Sequence, residues 1–196
     1  MAGYEIRTMT QEDIPQIVAI ERLVFPTPWS AAAFRSELED NGMALYLILT
    51  AAADPATVLA YGGLWKIFDE GHITNVAVHP AHQGKKLGRF LIHAMIAWAW
   101  ANGISHVTLE VRPGNQRAIA LYKSVGFQEA GLRPGYYEDT REDALIMWLH
   151  KEKWGKRYKV KDGLRTKLKN GARDGLRTKP RREAGRRGGI SLGSGD

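Results

Sequence analysis

The chain has 196 residues, enough for one domain with a sizeable core and an appendage. It contains no cysteine, which excludes disulfides, thiolate metal sites and a cysteine nucleophile. The apolar runs are too short to span a bilayer, and the N-terminus lacks the basic and hydrophobic segments of a signal peptide. We therefore expect a cytoplasmic protein with no membrane contact.

The formal charge of +7 is divided unevenly along the chain. Residues 1–150 contain 12 Lys and Arg against 16 Asp and Glu, a net charge of −4. Residues 151–196 contain 16 basic residues against 5 acidic ones, a net charge of +11. The basicity therefore belongs to the last quarter of the chain, and the remainder is mildly acidic.

Hydrophobic periodicity stops after Trp154. The sequence DGLRTK at residues 162–167 recurs at 174–179, and each copy offers a single leucine. Two such repeats cannot bury a core, and a segment dominated by Gly, Lys and Arg is typical of disorder. We predict a globular domain over residues 1–154 and a disordered, basic, Gly-rich tail over residues 155–196.

The N-terminal part predicts a strand and two helices. Residues 4–9 alternate loosely, as a strand does, and Thr10 is a suitable N-cap for the helical period that follows. Ser30 caps a second helix from residue 31 to about residue 39, which Asn41 and Gly42 end.

Three strands follow. The first covers residues 44–51 and is separated by a turn at Asp54-Pro55 from the second, at residues 58–68. A turn at residues 69–71 leads to a third strand that ends at Val78. Because the turns are short, we expect the three strands to be antiparallel neighbours.

The segment after the third strand predicts an anion-binding site. Pro80 stops the strand, and the glycine-containing basic loop at residues 83–88 leads into a helix that begins near Leu87 and is closed by Asn102-Gly103. Backbone N–H groups converge at such a loop, and the helix dipole favours negative charge. The first inference is therefore a ligand that carries phosphate.

The remaining predicted elements are a strand, a helix and two final strands, at residues 106–111, 116–124, 127–132 and 144–149. Asn115 caps the helix, and a polar loop that contains Gly135-Tyr136-Tyr137 joins the last two strands. The order β-α-α-β-β-β-α-β-α-β-β predicts the α/β (α+β) class, with one mixed sheet and helices on its faces.

Three motifs, taken in order, resemble one known family. They are NVAVHP at residues 75–80 with QGKKLG at 83–88, LEVR at 109–112 followed by Asn115, and AIALYKSVGF at 118–127. From Tyr4 to His150 the chain resembles the GNAT superfamily of acyl-CoA-dependent N-acetyltransferases. It is most similar to the RimI type, the ribosomal-protein-alanine N-acetyltransferases, in its PWS and GYY motifs. The resemblance implies a mostly antiparallel sheet of about seven strands flanked by four helices.

The resemblance also implies acetyl-CoA as the co-substrate. The main chain of Val76, Ala77 and Val78 would hold the pantetheine arm and the acetyl group, and Asn115 would hydrogen-bond the cofactor. The pyrophosphate would lie on the loop formed by Gly84, Lys85, Lys86, Leu87, Gly88 and Arg89. Lys86 departs from the family pattern because it occupies the first glycine position. A positive φ there would strain a lysine by about 1–2 kcal/mol.

Two residues match the catalytic positions of the family. Glu110 lies in an apolar strand, where a carboxylate needs a partner, and it matches the base that takes a proton from the amine. The structural alternatives are an ion pair with Arg112 or Arg133, or a solvent-facing position on the strand. Tyr122 matches the acid that protonates the departing thiolate, and a place in the core is its alternative.

The cost of deprotonating an amine favours an N-terminal α-amine as the acceptor. An α-amine has a pKa of about 7.7–8.0, so its neutral form costs about 1–1.4 kcal/mol at pH 7, whereas a lysine side chain costs roughly 4.6 kcal/mol. One carboxylate suffices for the former. This cost favours a protein N-terminus as acceptor, and the RimI resemblance implies the N-terminal alanine of a ribosomal protein. The sequence has no Gly-x-Ser-x-Gly motif, so we expect direct attack in a ternary complex rather than an acyl-enzyme. Acetylation of lysine or a small amine and RNA binding by the tail are the alternatives.

Other side chains fit less specific roles. His79 and His82 flank Pro80 without zinc-ligand spacing, so we expect loop and capping roles and no metal. The RimI resemblance places four aromatic residues around a peptide-binding cleft: Trp29, Phe34, Tyr136 and Tyr137. Trp29 and Phe34 fit a helix core equally well. The tail, with its excess of basic residues and no aromatic residue after Tyr158, fits a non-specific RNA tether.

Overall fold

The computed structural model describes residues 3–154 and contains seven strands, four helices of at least nine residues and one of a single turn. The strands are β1 Tyr4–Thr8, β2 Ala44–Ala51, β3 Asp54–Ile67, β4 Glu70–Val78, β5 His106–Val111, β6 Gln128–Tyr137 and β7 Glu142–His150. The helices are α1 Ile14–Val24, α2 Ala31–Glu39, α3 Leu87–Ala101, α4 Gln116–Val125 and the single turn α5 Lys151–Trp154. Short 3₁₀ turns at Gln11–Asp13 and Pro80–His82 precede α1 and α3. The disordered basic tail predicted for residues 155–196 lies outside the described part of the chain.

The predicted element order is confirmed, and two local predictions are wrong. Asp54 and Pro55 open β3 rather than form a turn, and Pro55 is tolerated there because the start of a strand needs few ladder bonds. Gly135-Tyr136-Tyr137 belongs to β6 rather than to a loop. β6 is the edge strand of the sheet, where the irregular pairing between Arg133 and Tyr137 accommodates Pro134.

The helix ends follow the capping chemistry of the sequence. The Ser30 hydroxyl accepts a hydrogen bond from the Ala33 N–H (3.1 Å) at the start of α2. Asn115 Oδ1 accepts from the Ala118 N–H (3.1 Å) at the start of α4, as predicted. Gly126 ends α4 with a φ of 114°, a conformation that costs glycine little.

One sheet contains all seven strands, in the order β1-β2-β3-β4-β5-β7-β6. Every pairing is antiparallel except that of β4 with β5, and β2, β3 and β4 are antiparallel neighbours as predicted. The parallel pairing joins Glu70–Ile73 to His106–Leu109 and then stops. Residues 75–78 continue to pair with β3 on one side only, so β4 leaves an open edge at the centre of the sheet.

The apolar residues form one cluster on each face of the sheet. The larger cluster packs α3 and α4 against the central strands and includes Leu91, Met95 and Leu109. The smaller cluster packs α1 and α2 against the other face and includes Ile17, Phe34 and Tyr61. Within residues 3–154, the longest helices fall short of the length and hydropathy that a membrane crossing requires. The ends of β4 and β5 diverge within the sheet, between these two clusters.

Candidate active site

A cavity of about 450 Å³ opens where β4 diverges from β5. Its walls are the end of β4, the loop before α3 and the first turns of α4. Nine of the ten residues expected to hold the cofactor line it: Val76, Ala77, Val78, Gly84, Lys86, Leu87, Gly88, Arg89 and Asn115. Lys85 is absent from the lining, and its ammonium lies 3.3 Å from His82 Nδ1. Tyr122 also lines the cavity.

The loop before α3 turns through left-handed backbone conformations. Gly84 has a φ of 80° and Lys86 a φ of 62° and ψ of 15°. The Phe90 N–H donates to the Lys86 carbonyl (3.1 Å) and closes the first turn of α3. The N–H groups at the start of a helix have no partner inside it, so this turn presents donors to an anion.

Gly88 allows α3 and α4 to approach closely beside this loop. A Cβ atom at Gly88 would lie 3.3 Å from Leu121 Cδ2 and 3.5 Å from Val78 Cγ2. Arg117, in the first turn of α4, lines the same cavity and donates to Gln83 Oε1 (2.7 Å). The cavity therefore combines helix-start N–H groups with basic side chains, a combination that suits a phosphate-bearing ligand.

Glu110 lies on β5 just past its pairing with β4 and outside the cavity lining. Its side chain is 5% exposed, and both oxygens have partners. His72 Nε2 lies 2.5 Å from Oε2, and Arg133 donates to Oε1 (3.0 Å). Burial alone would raise the pKa of Glu110, but the contacts with His72 and Arg133 outweigh it and lower the pKa.

Tyr122 is buried on α4, with its ring packed edge-on against Phe127. Burial, together with the neighbouring Tyr137, raises the pKa of Tyr122 to about 12. The phenol therefore keeps its proton throughout the neutral range. Tyr137 is also within electrostatic reach of Glu110, so the two candidate catalytic groups share a neighbour.

The hairpin of β6 and β7 is fixed by Arg112 rather than by Glu110. The Arg112 guanidinium bonds both oxygens of Asp139 (2.7 Å each) and Glu142 (2.5 Å). It also lies 3.9 Å from the centre of the Tyr137 ring. Among the structural alternatives for Glu110, the ion pair with Arg133 is present, while Arg112 bonds elsewhere. The solvent-facing alternative is wrong, because the Glu110 side chain is 5% exposed.

The segment between α1 and α2 is anchored by a buried acid. Glu21 Oε2 accepts from the Trp29 N–H (2.7 Å), and Oε1 has no hydrogen-bond partner within the described residues. Burial raises the pKa of Glu21 to about 7. Phe34 lies fully inside the core, so the cleft alternative is wrong for it, while Trp29 is partly buried against Phe34.

His79 and His82 occupy the short turn after β4. His79 Nδ1 accepts from the Ala81 N–H (3.2 Å), which confirms the expected capping role. His72 contacts Glu110 and Arg117 contacts Gln83, and neither is among the site residues that the sequence predicts. A basic residue two positions after the Asn115 cap could have indicated Arg117, but nothing in the sequence gives the register that brings His72 to Glu110.

The chain belongs to the Acetyltransferase (GNAT) family, whose family model matches residues 14–127. The motifs on β4, the loop before α3 and α4 all fall within this range.

Two relatives extend the match to 74% of the chain. The chain is 35% identical to the ribosomal protein bS18-alanine N-acetyltransferase of Escherichia coli K12, over 74% of this chain and 95% of that protein. It is 38% identical to a Bacillus subtilis protein to which the same activity is provisionally assigned, over 74% of this chain and 93% of the relative.

Solved structures agree with the fold. The crystal structure of the E. coli enzyme matches with a TM-score of 0.67, covering 76% of this chain and 94% of that chain. Ard1 from Thermoplasma volcanium matches with a TM-score of 0.67 at 25% identity, covering 75% of this chain and 97% of that chain.

Proposed function

We propose that this protein transfers the acetyl group of acetyl-CoA to the N-terminal α-amine of a ribosomal protein, with the N-terminal alanine of bS18 as acceptor. The observation that carries the proposal is the 35–38% identity, over nearly the full length of the relatives, to proteins named for that reaction. The cavity beside β4 and the buried Glu110 support the same chemistry.

The open edge of β4 supports the binding of acetyl-CoA. Residues 76–78 line the cavity and have main-chain groups on the side that β5 has left, where a pantetheine arm can pair as a strand would. The loop at residues 84–89 and the start of α3 face the pyrophosphate. Arg117 adds a guanidinium that the sequence prediction did not include.

Glu110 and Tyr122 divide the proton transfers. Glu110 takes a proton from the acceptor ammonium, directly or through water, and the neutral nitrogen attacks the thioester carbon. As the new C–N bond forms and the C–S bond breaks, Tyr122 gives its proton to the departing sulfur. The lowered pKa of Glu110 keeps the base ionised at pH 7, and the raised pKa of Tyr122 keeps the acid protonated.

Peptides separate this acceptor from its alternatives. We expect rapid acetylation of a peptide that has the bS18 N-terminus and begins with alanine. The same peptide with a blocked N-terminus and an added internal lysine serves as the control, and polyamines test for small acceptors. Equal turnover of the blocked peptide would contradict the assignment to the α-amine.

Single substitutions test the two catalytic assignments. Glu110→Gln should lower kcat by about 10²–10⁴-fold with little change in the affinity for acetyl-CoA. Tyr122→Phe should lower kcat and alter the alkaline limb of the pH profile. Glu129→Gln, at an exposed glutamate that pairs with Lys123, is the matched control. If Glu110→Gln and Tyr122→Phe are as fast as the control, the catalytic assignment is wrong and both residues have structural roles only.

A second candidate function is RNA binding by the basic C-terminal residues. We propose that residues 1–154 are the catalytic domain and that residues 155–196 are a non-specific tether to RNA. The support is the net charge of +11 after residue 150 beside a domain of −4. Ribosomal RNA would then concentrate the enzyme near its acceptor in the cytoplasm.

A further inference from the structure

His72 has no role in the reaction as described, yet it makes the shortest contact to Glu110. It stands on β4 in register with Thr108 of β5, two residues before Glu110 on the neighbouring strand. Alternate residues of a strand share a face, so His72 and Glu110 both lie on the face opposite Ile73 and Leu109. The contact between them spans the point at which β4 and β5 separate.

The imidazole is itself held in place. Its ring packs edge-on against Trp65, with ring centres 6.1 Å apart. Trp65 in turn donates through Nε1 to Glu37 Oε2 (2.6 Å). The His72 side chain is 21% exposed, so neighbours rather than solvent define most of its surroundings.

Glu110 is buried, so its carboxylate needs a neighbour that favours the ionised form, and His72 is such a neighbour. A carboxylate in an apolar site tends to take up a proton, and a protonated Glu110 cannot accept another from the acceptor. Four titratable or charged groups act on it: His72 on β4, and Arg133, Tyr136 and Tyr137 on β6. Arg133 is about half exposed, so solvent screens its charge. Burial and the Glu110 charge both raise the pKa of the two tyrosines, which stay neutral and supply no positive charge.

We propose that His72 is a positioning residue for the transfer: through Nε2 it fixes the orientation of Glu110 and keeps the carboxylate ionised until the acceptor delivers its proton. The 2.5 Å contact leaves Oε1, the oxygen that Arg133 reaches, as the one directed away from His72. This inference rests on the proposed function, in which Glu110 is the base.

Three substitutions at His72 separate a hydrogen-bonding role from a general structural one. His72→Ala removes the contact, and His72→Asn shortens the side chain so that it no longer reaches Oε2. Both should lower kcat by about 10–100-fold and leave the affinity for acetyl-CoA unchanged, since part of the contribution of a general base is lost. The acid limb of the pH profile of kcat/KM should move to higher pH.

His72→Gln keeps an N–H donor of suitable length and should recover most of the rate. His106→Gln is the matched control, because His106 bonds His150 (2.8 Å) at the other end of β5. Unchanged rates and pH profiles for His72→Ala and His72→Asn would overturn the proposal. A His72→Gln variant as slow as His72→Ala, with coenzyme A binding intact, would overturn it as well.

A double-mutant cycle distinguishes failure of this inference from failure of the proposed function. In a Glu110→Gln background, adding His72→Ala should cause no further loss, because the residue would act through Glu110 alone. Equal losses in both backgrounds would reject the positioning role and leave the base assignment standing. A wild-type rate for Glu110→Gln itself would reject both.

Discussion

Lys86 holds a left-handed backbone conformation, with a φ of 62° and a ψ of 15°, that L-residues with a Cβ atom enter at a cost. The strain follows from the Cβ atom of lysine, because a glycine adopts the same backbone conformation freely. The residue also lines the cavity, where its ammonium can face a phosphate. Folding stability therefore favours glycine at this position, whereas binding of a phosphate favours lysine.

Lys86→Gly should raise the free energy of unfolding by about 1 kcal/mol, because glycine adopts a positive φ without strain. Denaturant unfolding measures the change. Lys86→Ala removes the same ammonium but keeps the Cβ atom, so it should give no such gain. Equal stabilities of the two variants would show that the backbone at residue 86 is unstrained.

Glu21 makes stability depend on pH. Its pKa is raised from 4.5 to about 7 in the folded protein, so the folded state binds the proton more tightly than the unfolded chain. The contribution of Glu21 is therefore greatest below pH 4.5 and is lost as the pH rises through 7. Glu21→Gln keeps an acceptor for the Trp29 N–H and removes the charge.

We expect Glu21→Gln to gain stability relative to the parent protein as the pH rises from 5 to 8, by about 1–3 kcal/mol. Unfolding free energies of both proteins at several pH values measure the difference. Glu39→Gln, at an exposed helix position, is the control. A difference that stays constant over this range would contradict the raised pKa.

The β6–β7 hairpin places Tyr136 and Tyr137 near Glu110, and contacts with Arg112 hold the hairpin there. One guanidinium bonds Asp139, Glu142 and the Thr140 hydroxyl while it covers the Tyr137 ring. A planar, bidentate contact of this kind needs arginine and not merely a positive charge. These contacts therefore hold the hairpin in a defined position beside Glu110.

Arg112→Lys should raise KM for the acceptor peptide several-fold and change the affinity for acetyl-CoA little, because the hairpin and the cavity lie on different elements. Steady-state kinetics with each substrate varied in turn measures this split. Arg141→Lys, near the same turn, is the control. A parallel loss of affinity for both substrates would contradict a local role for Arg112.

Residues 1–150 carry a net charge of −4 and residues 151–196 a net charge of +11, so opposite charges are separated along the chain. We expect that deletion of residues 159–196 leaves peptide turnover intact and weakens association with RNA. Electrostatic binding of this kind should fall steeply as the salt concentration rises. Loss of acetyl-CoA turnover on deletion would refute the division into catalytic domain and tether.

Much of the fold could be predicted from the sequence because its signals are local. Turn and cap residues such as Ser30, Asn115 and Gly126 act on their immediate neighbours, and short turns between β2, β3 and β4 leave few alternatives to antiparallel pairing. The two wrong local predictions involve Pro55 and Pro134. A proline is tolerated when it is the first residue of a strand or when it lies on an edge strand. Both conditions depend on the sheet and not on the neighbouring residues.

Local patterns in the sequence predict the element order and the loop before α3, and the family motifs indicate Glu110 and Tyr122 as candidates. The tertiary structure separates β4 from β5 after Ile73, which opens the cavity, and it brings His72 rather than Arg112 into contact with Glu110. It also decided that Lys86 has a positive φ. These features depend on the register between strands that are far apart in the chain, and no local preference of the residues fixes that register.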